Sequence, residues 1–177
     1  MGAGVAPRDI TRVIGLAKAY VTRVGSGPFP TEFPPEEAED LRKYGDEWGT
    51  RTGRARRVGW FDAVLARYAD RLNGFTEIAL TKLDVLTGYD KLRVCTAYEY
   101  EGEVYRDLPY HQTILHKCTP VYTELDGWWE DLSGVTDAAQ LPANARNYIA
   151  FLESEIGVPI RIVSVGPARE QTLHLAA

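Results

Sequence analysis

Apolar residues recur along the chain with two periods, and the switches between those periods outline the elements. Behind Pro7 and Asp9, the residues Ile10, Val13, Ile14, Ala17 and Val21 fall at helical spacing and predict an amphipathic helix. Glycines and prolines in "GSGPFPTEFPPEE" interrupt that pattern and predict an ordered loop or crossing segment. A short acidic helix follows from about Pro35 to Tyr44, and Phe61, Val64, Leu65, Tyr68 and Leu72 mark another, stopped by Asn73-Gly74. "TEIALTKLDVL" is a short apolar run that reads as a buried strand. Alternation of Leu92, Val94, Thr96 and Tyr98 predicts a second strand, turned at Gly102 into a hairpin with "EVYRDL", and "TPVYTEL" reads as a third. In "LPANARNYIAFLESEIG", Ala145, Tyr148, Ile149, Leu152 and Ile156 share one helical face; Gly157 caps it, Pro159 prevents continuation, and "IRIVSV" is the strand that follows.

Helices alternating with buried strands predict an α/β fold: a mostly parallel central sheet flanked by helices, with an antiparallel addition near residues 92–125. The first predicted helix has no strand before it to cover, and the chain holds neither GxxxxGK[ST] nor GxGxxG. The candidate sites therefore read as parts of something larger.

At 177 residues the chain can bury a core of its own, and 45% hydrophobic with 25% charged residues is ordinary globular composition. A formal net charge of −5 argues against general nucleic-acid binding, which needs a net basic surface. Cys95 and Cys118 form no CxxC and fit free thiols in a reducing compartment. No apolar run approaches the roughly 18 residues of a membrane span. The N-terminus has no signal-peptide pattern, and Ala6 stands where myristoylation wants Ser or Thr. The expectation is a soluble, cytoplasmic protein with no membrane and no nucleic-acid partner.

Against that acidic background, "GTRTGRARRVGW" sets Arg51, Arg54, Arg56 and Arg57 among glycines and threonines. Arginine forks suit phosphate and carboxylate, glycines allow close backbone approach, and threonines add hydroxyls. The bland alternative is a solvated basic surface. "TKLD", Thr81 to Asp84, lies at the carboxyl end of a predicted strand, where open α/β sheets bind ligands. A carboxylate there can accept from the N1–H and 2-amino group of guanine and reject adenine, and the spacing echoes the NKxD guanine motif. The competing reading is a solvated strand end. "SVGP", Ser164 to Pro167, could offer backbone groups to a nucleotide or be only a turn. His111, His116 and Cys118 lack the paired spacing of zinc sites, and no Ser/His/Asp arrangement has supporting motifs.

Taken in order, "RVGSGPFPTE", "GTRTGRARRVGWFD", "LTKLDVL" and "VPIRIVSVGP" resemble the adenylosuccinate synthase family over essentially the whole chain. The resemblance is to the C-terminal part of that family, so residues 1–177 are expected to form the C-terminal portion of one P-loop-NTPase-like domain. It implies GTP-dependent ligation of IMP and L-aspartate to adenylosuccinate, through phosphorylation of the IMP 6-oxygen, with Mg²⁺. The aspartate loop would be Thr50, Arg51, Thr52, Gly53, Arg54, Ala55 and Arg56. Arg54 would also reach IMP, and Arg56 would face GTP. Lys82, Leu83 and Asp84 would form the guanine pocket, and Ser164, Val165 and Gly166 its other wall. Arg51 and Val165 stand where the family carries threonines. The phosphate loop, catalytic Asp, catalytic His and Mg²⁺ ligands would lie upstream, so this chain would hold no catalytic residue and no metal ligand. The chain would be an expressed fragment, a truncated gene product, or one half of a split enzyme with an N-terminal partner chain; the expectations are an isolated chain without activity and a homodimer when complete. The alternative is a non-catalytic guanine-nucleotide-binding or structural fragment.

Overall fold

The N-terminal apolar residues extend into strands instead of coiling. In the computed structural model, which describes residues 2 and 4–175, Pro7–Asp9 forms one 3-10 turn, followed by β1 (Ile14–Lys18) and β2 (Val21–Arg23). The helix expected here is thus a correction, and so is the expectation that no strand precedes the first helix. The stretch is rich in β-branched residues, which favour pleated surfaces. At Gly15 an added Cβ would sit 2.9 Å from the Phe75 ring, so the backbone itself packs there.

The order continues with α1 (Pro35–Gly45), β3 (Arg57–Gly59), β4 (Phe61–Asp62), α2 (Ala63–Asn73) and β5 (Glu77–Thr81). Then come β6 (Lys91–Tyr100), β7 (Glu103–Tyr105), α3 (Gln112–Lys117), β8 (Thr119–Asp126), α4 (Ala143–Ile156), β9 (Ile160–Ser164) and β10 (Thr172–His174).

The central sheet has the order β1-β5-β9-β10. β1, β5 and β9 run parallel, in the register Ile14↔Glu77 and Ile78↔Ile160, and β10 closes one side antiparallel to β9. The antiparallel addition is as expected: β6 pairs with β7 and β8, and β4 joins it in parallel. β2 and β3 form a separate ribbon. α2 packs beside α4 and against β6.

The helix ends follow local chemistry. Asp62 caps α2 by accepting from the amides of Val64 (3.0 Å) and Leu65 (3.1 Å), and its other oxygen accepts from the Tyr98 hydroxyl at 2.5 Å. Gly74 and Gly157 close α2 and α4 in the left-handed conformation, where a side chain would be strained. One core runs between the sheet and the helices and includes Leu41, Leu80, Leu83, Tyr148, Leu152 and Ile160. Burying such side chains stabilises the fold by roughly 1.5–3 kcal/mol each. Among the described residues, no helix is long and apolar enough to cross a membrane.

Candidate functional site

The parallel sheet delivers both "TKLD" and "SVGP" to one end. β5 stops at Thr81, Lys82 turns left-handed at φ 61°, and Leu83–Leu86 forms a 3-10 turn. Leu83 plugs into the core with no exposure, and Lys82 and Asp84 on either side of it are half-buried. The Lys82 amide donates to the Ser164 hydroxyl (3.1 Å), so the ends of β5 and β9 are tied directly. Val165 is buried, and its amide donates to Gln171.

Between these segments lies a cavity of about 410 Å³, lined by Asp84, Val85, Val165, Gly166, Pro167, Tyr44 and Trp129 among others. A second cavity of about 310 Å³ continues past Lys82, Gly45 and Asp46. Asp84 Oδ1 is buried without a hydrogen-bond partner among the described residues, and burial raises the pKa of this carboxyl. Such an oxygen costs stability unless something donates to it. It is the feature here that most clearly asks for a ligand with N–H or O–H groups.

The arginine stretch is a closed loop, not a random charge run. The Arg56 amide donates to the Glu47 carbonyl (2.9 Å), Gly49 donates to Arg54 (2.9 Å) and Gly53 to Gly49 (2.8 Å). Gly53 takes φ +60°, and the Arg54 amide meets the Thr52 hydroxyl at 3.4 Å. The four arginines then divide. Arg57 grips Glu32 with two nitrogens and also donates to the Gly25 and Gly27 carbonyls. Arg56 donates to Glu47 at 2.7 Å. The Arg51 and Arg54 side chains are exposed and meet no carboxylate among the described residues. Thr50 and Ala55 are exposed as well, and a cavity of about 320 Å³ is lined by Arg54, Ala55, Arg56, Thr52, Gly49 and Arg23.

Glu47 joins the two regions. This fully buried carboxylate accepts from Lys18 Nζ (2.7 and 2.9 Å), the Tyr20 hydroxyl (2.6 Å) and Arg56, with Lys82 Nζ 3.5 Å away. Lys82 also donates to the Gly45 carbonyl, so its ammonium is tethered while its stem borders the Asp84 cavity. Burial alone would raise the Glu47 pKa, but the bonds from Lys18, Tyr20 and Arg56 outweigh it and hold the group at about 2. Burial lowers the Lys18 pKa, and the neighbouring Lys82 and Arg56 charges add to that against the pull of Glu47. Sequence reasoning missed Glu47, Lys18 and Tyr20. The only signal was an acidic residue at the mouth of a cationic loop. Among the described residues no group of three or more His, Cys, Asp or Glu could hold a metal ion.

The parallel α/β sheet gathers a carboxylate cavity and a cationic loop at the carboxyl ends of its strands, the place where proteins of the open-sheet class bind ligands. The adenylosuccinate synthetase family model matches residues 1–173, and the chain belongs to that family. Adenylosuccinate synthetases of Citrifermentans bemidjiense and Parafrankia sp. are 54% and 56% identical over 98% and 97% of this chain. The structure of a fully ligated adenylosuccinate synthetase from Plasmodium falciparum is 36% identical, with a TM-score of 0.93, over 99% of this chain and 42% of that one. The chain spans about 40% of the length of the curated relatives it matches.

Proposed function

We propose that residues 1–177 form the C-terminal portion of an adenylosuccinate synthetase and supply the guanine pocket and the aspartate loop of a ligase in AMP biosynthesis. In that reaction IMP and L-aspartate are joined at the expense of GTP, giving adenylosuccinate, GDP and phosphate. Asp84 accepts from guanine N1–H and the 2-amino group. The Lys82 stem flanks the base, Leu83 fixes the turn from inside, and Ser164, Val165 and Gly166 form the opposite wall. Thr50 to Arg56 hold the aspartate carboxylates, with Arg54 shared between aspartate and IMP. Arg56 keeps one nitrogen on Glu47 and turns the rest of its fork toward GTP.

The single observation that carries this reading is Asp84, whose Oδ1 is buried with no hydrogen-bond partner among the described residues, in the lining of a cavity walled by residues 165–167. Family membership and the exposed guanidiniums of Arg51 and Arg54, which meet no carboxylate among the described residues, support it. Phosphoryl transfer needs groups that stabilise the transferring phosphate, and Mg²⁺ is among them in the family. By family resemblance, the ion and the catalytic Asp and His are assigned to the part of the relatives that this chain does not span. A complete enzyme is proposed to be a cytoplasmic homodimer.

Amide NMR of the chain titrated with GDP and with ADP tests the assignment. GDP is expected to shift residues 82–84 and 164–166, and ADP to leave them in place. Equal shifts with both nucleotides, or none with GDP, would reject it.

A further inference from the structure

Three cavities each border a cation that reaches the same carboxylate. Lys18 lines an apolar cavity between β1 and α2, Lys82 borders the Asp84 cavity, and Arg56 borders the cavity of the arginine loop. Glu47 lies among them with no exposure, at 2.7, 3.5 and 2.7 Å from their nitrogens. Its backbone is also the base of the loop, through the bond from the Arg56 amide, and it follows the left-handed Asp46 that ends α1.

We propose that Glu47 is a positioning residue that couples the guanine pocket to the arginine loop. Among the described residues its carboxylate is the one that touches the anchor residues of both. The three cations repel one another, and among the described residues Glu47 is the one carboxylate within salt-bridge distance of all three, so a neutral side chain there removes the charge that offsets their repulsion. Removing one partner of a buried ionic cluster leaves uncompensated charge, which is strongly unfavourable, so the cations separate. Arg56 then leaves the loop base and Lys82 leaves the wall beside Asp84. Conversely, an anion that draws Arg56 toward its own cavity frees Glu47 for Lys82. By linkage, occupancy of either site alters the other to the same extent.

The anchoring is tested without ligand. Glu47→Gln keeps the shape and removes the charge. Hydrogen exchange should then speed up together at the Arg56 amide, bonded to Glu47, and at the Lys82 amide, bonded to Ser164, by about tenfold or more. The Ile78 amide, bonded to Pro159 in the sheet, should stay protected. Acceleration at one site only, or at neither, overturns the proposal. Glu47→Asp keeps the charge but withdraws it by one methylene. It should show the same paired response at smaller size and serves if the first variant does not fold.

The coupling rests on the guanine reading above and has its own test. In the wild-type chain GDP should shift the loop amides of Gly49 and Gly53 as well as residues 82–84. In Glu47→Gln the shift at Asp84, whose carboxylate makes the proposed base contact, should remain, and those in the loop should vanish. Loop shifts that persist in the variant overturn the coupling. A wild-type chain in which GDP moves no pocket amide rejects the guanine reading instead, and the paired exchange response still decides whether Glu47 anchors both segments.

Discussion

Arg57→Ala and Arg54→Ala, neighbours in one cationic stretch, are expected to act on different properties. Arg57 makes a two-pronged pair with Glu32 at 2.7 and 2.5 Å and donates to the Gly27 carbonyl at 2.9 Å. Its guanidinium also lies 5.3 Å from the centre of the Phe29 ring. Bonds to charged groups contribute about 1.5–3 kcal/mol when buried, while exposed pairs contribute only about 0.2–1 kcal/mol. The pair is 29% and 34% exposed, so its geometry favours the upper end of the exposed range, and the carbonyl bonds add to it. A loss of about 2 kcal/mol follows for Arg57→Ala. Arg54 has no side-chain partner among the described residues, so Arg54→Ala should change stability by no more than about 0.5 kcal/mol. Urea unfolding followed by tryptophan fluorescence measures both. With a slope of about 2 kcal/mol/M, the Arg57 variant should unfold about 1 M earlier and the Arg54 variant at the wild-type midpoint. The converse holds for binding: Arg54→Ala should weaken L-aspartate, followed by amide NMR at Gly49 and Gly53, by about tenfold, or about 1.4 kcal/mol. Equal midpoints for the two variants, or a larger loss at Arg54, would refute this division of the arginines.

Other consequences can be checked on the same chain. Glu47 is held at about 2 against an ordinary 4.5, so its ionised form stabilises the fold above pH 4.5, and that stability is lost as pH falls toward 2. The term is about 3 kcal/mol, and the difference between wild type and Glu47→Gln in urea midpoint should shrink across that acid range; a difference constant with pH would contradict it. Buried Asp62 and Asp84 shift the other way and cancel in this comparison. The purified chain should form no adenylosuccinate from IMP, L-aspartate, GTP and Mg²⁺, so measurable turnover would show that the catalytic groups have been assigned to the wrong part of the family. β1 lies at the edge of the sheet with Leu16 78% exposed, which favours edge-to-edge association. Leu16→Lys should lower the mass seen by light scattering, and a wild-type chain already monomeric at high concentration would count against this.

Much of the fold was legible because local and tertiary preferences agree. The apolar faces of α2 and α4, with Gly74 and Gly157 behind them, read directly as helices, and Gly102 marked the turn between β6 and β7. The N-terminal stretch misled because Ile10, Val13, Ile14, Ala17 and Val21 fit a helical period, while pairing of Ile14 to Lys18 with Glu77 to Thr81 decided the outcome. That partner lies far along the chain and leaves no local trace. β3, β4, β10 and α3 were too short to show a period. In the site, the carboxylate of "TKLD" could be read from its place at a strand end. The division of the arginines could not, because it depends on Glu32 and Glu47, which reach them only through the fold.

The guanine assignment of Asp84 is the claim on which the account turns, and nucleotide preference in Asp84→Asn tests it most directly. The carboxylate offers two acceptors, and Oδ1 has none of its own partners among the described residues. Asparagine keeps the shape but presents an amide donor to the guanine 2-amino group, donor against donor. Xanthine carries a carbonyl there and can accept from that amide, while its protonated N1 still donates to the asparagine oxygen. Two bonds to a charged partner contribute about 1.5–3 kcal/mol each, so the preference should change by a factor of about a hundred or more. Calorimetric titration with GDP and XDP should show the wild-type chain favouring GDP and the variant favouring XDP. A variant that still prefers GDP, as a solvated strand end would leave it, contradicts the account.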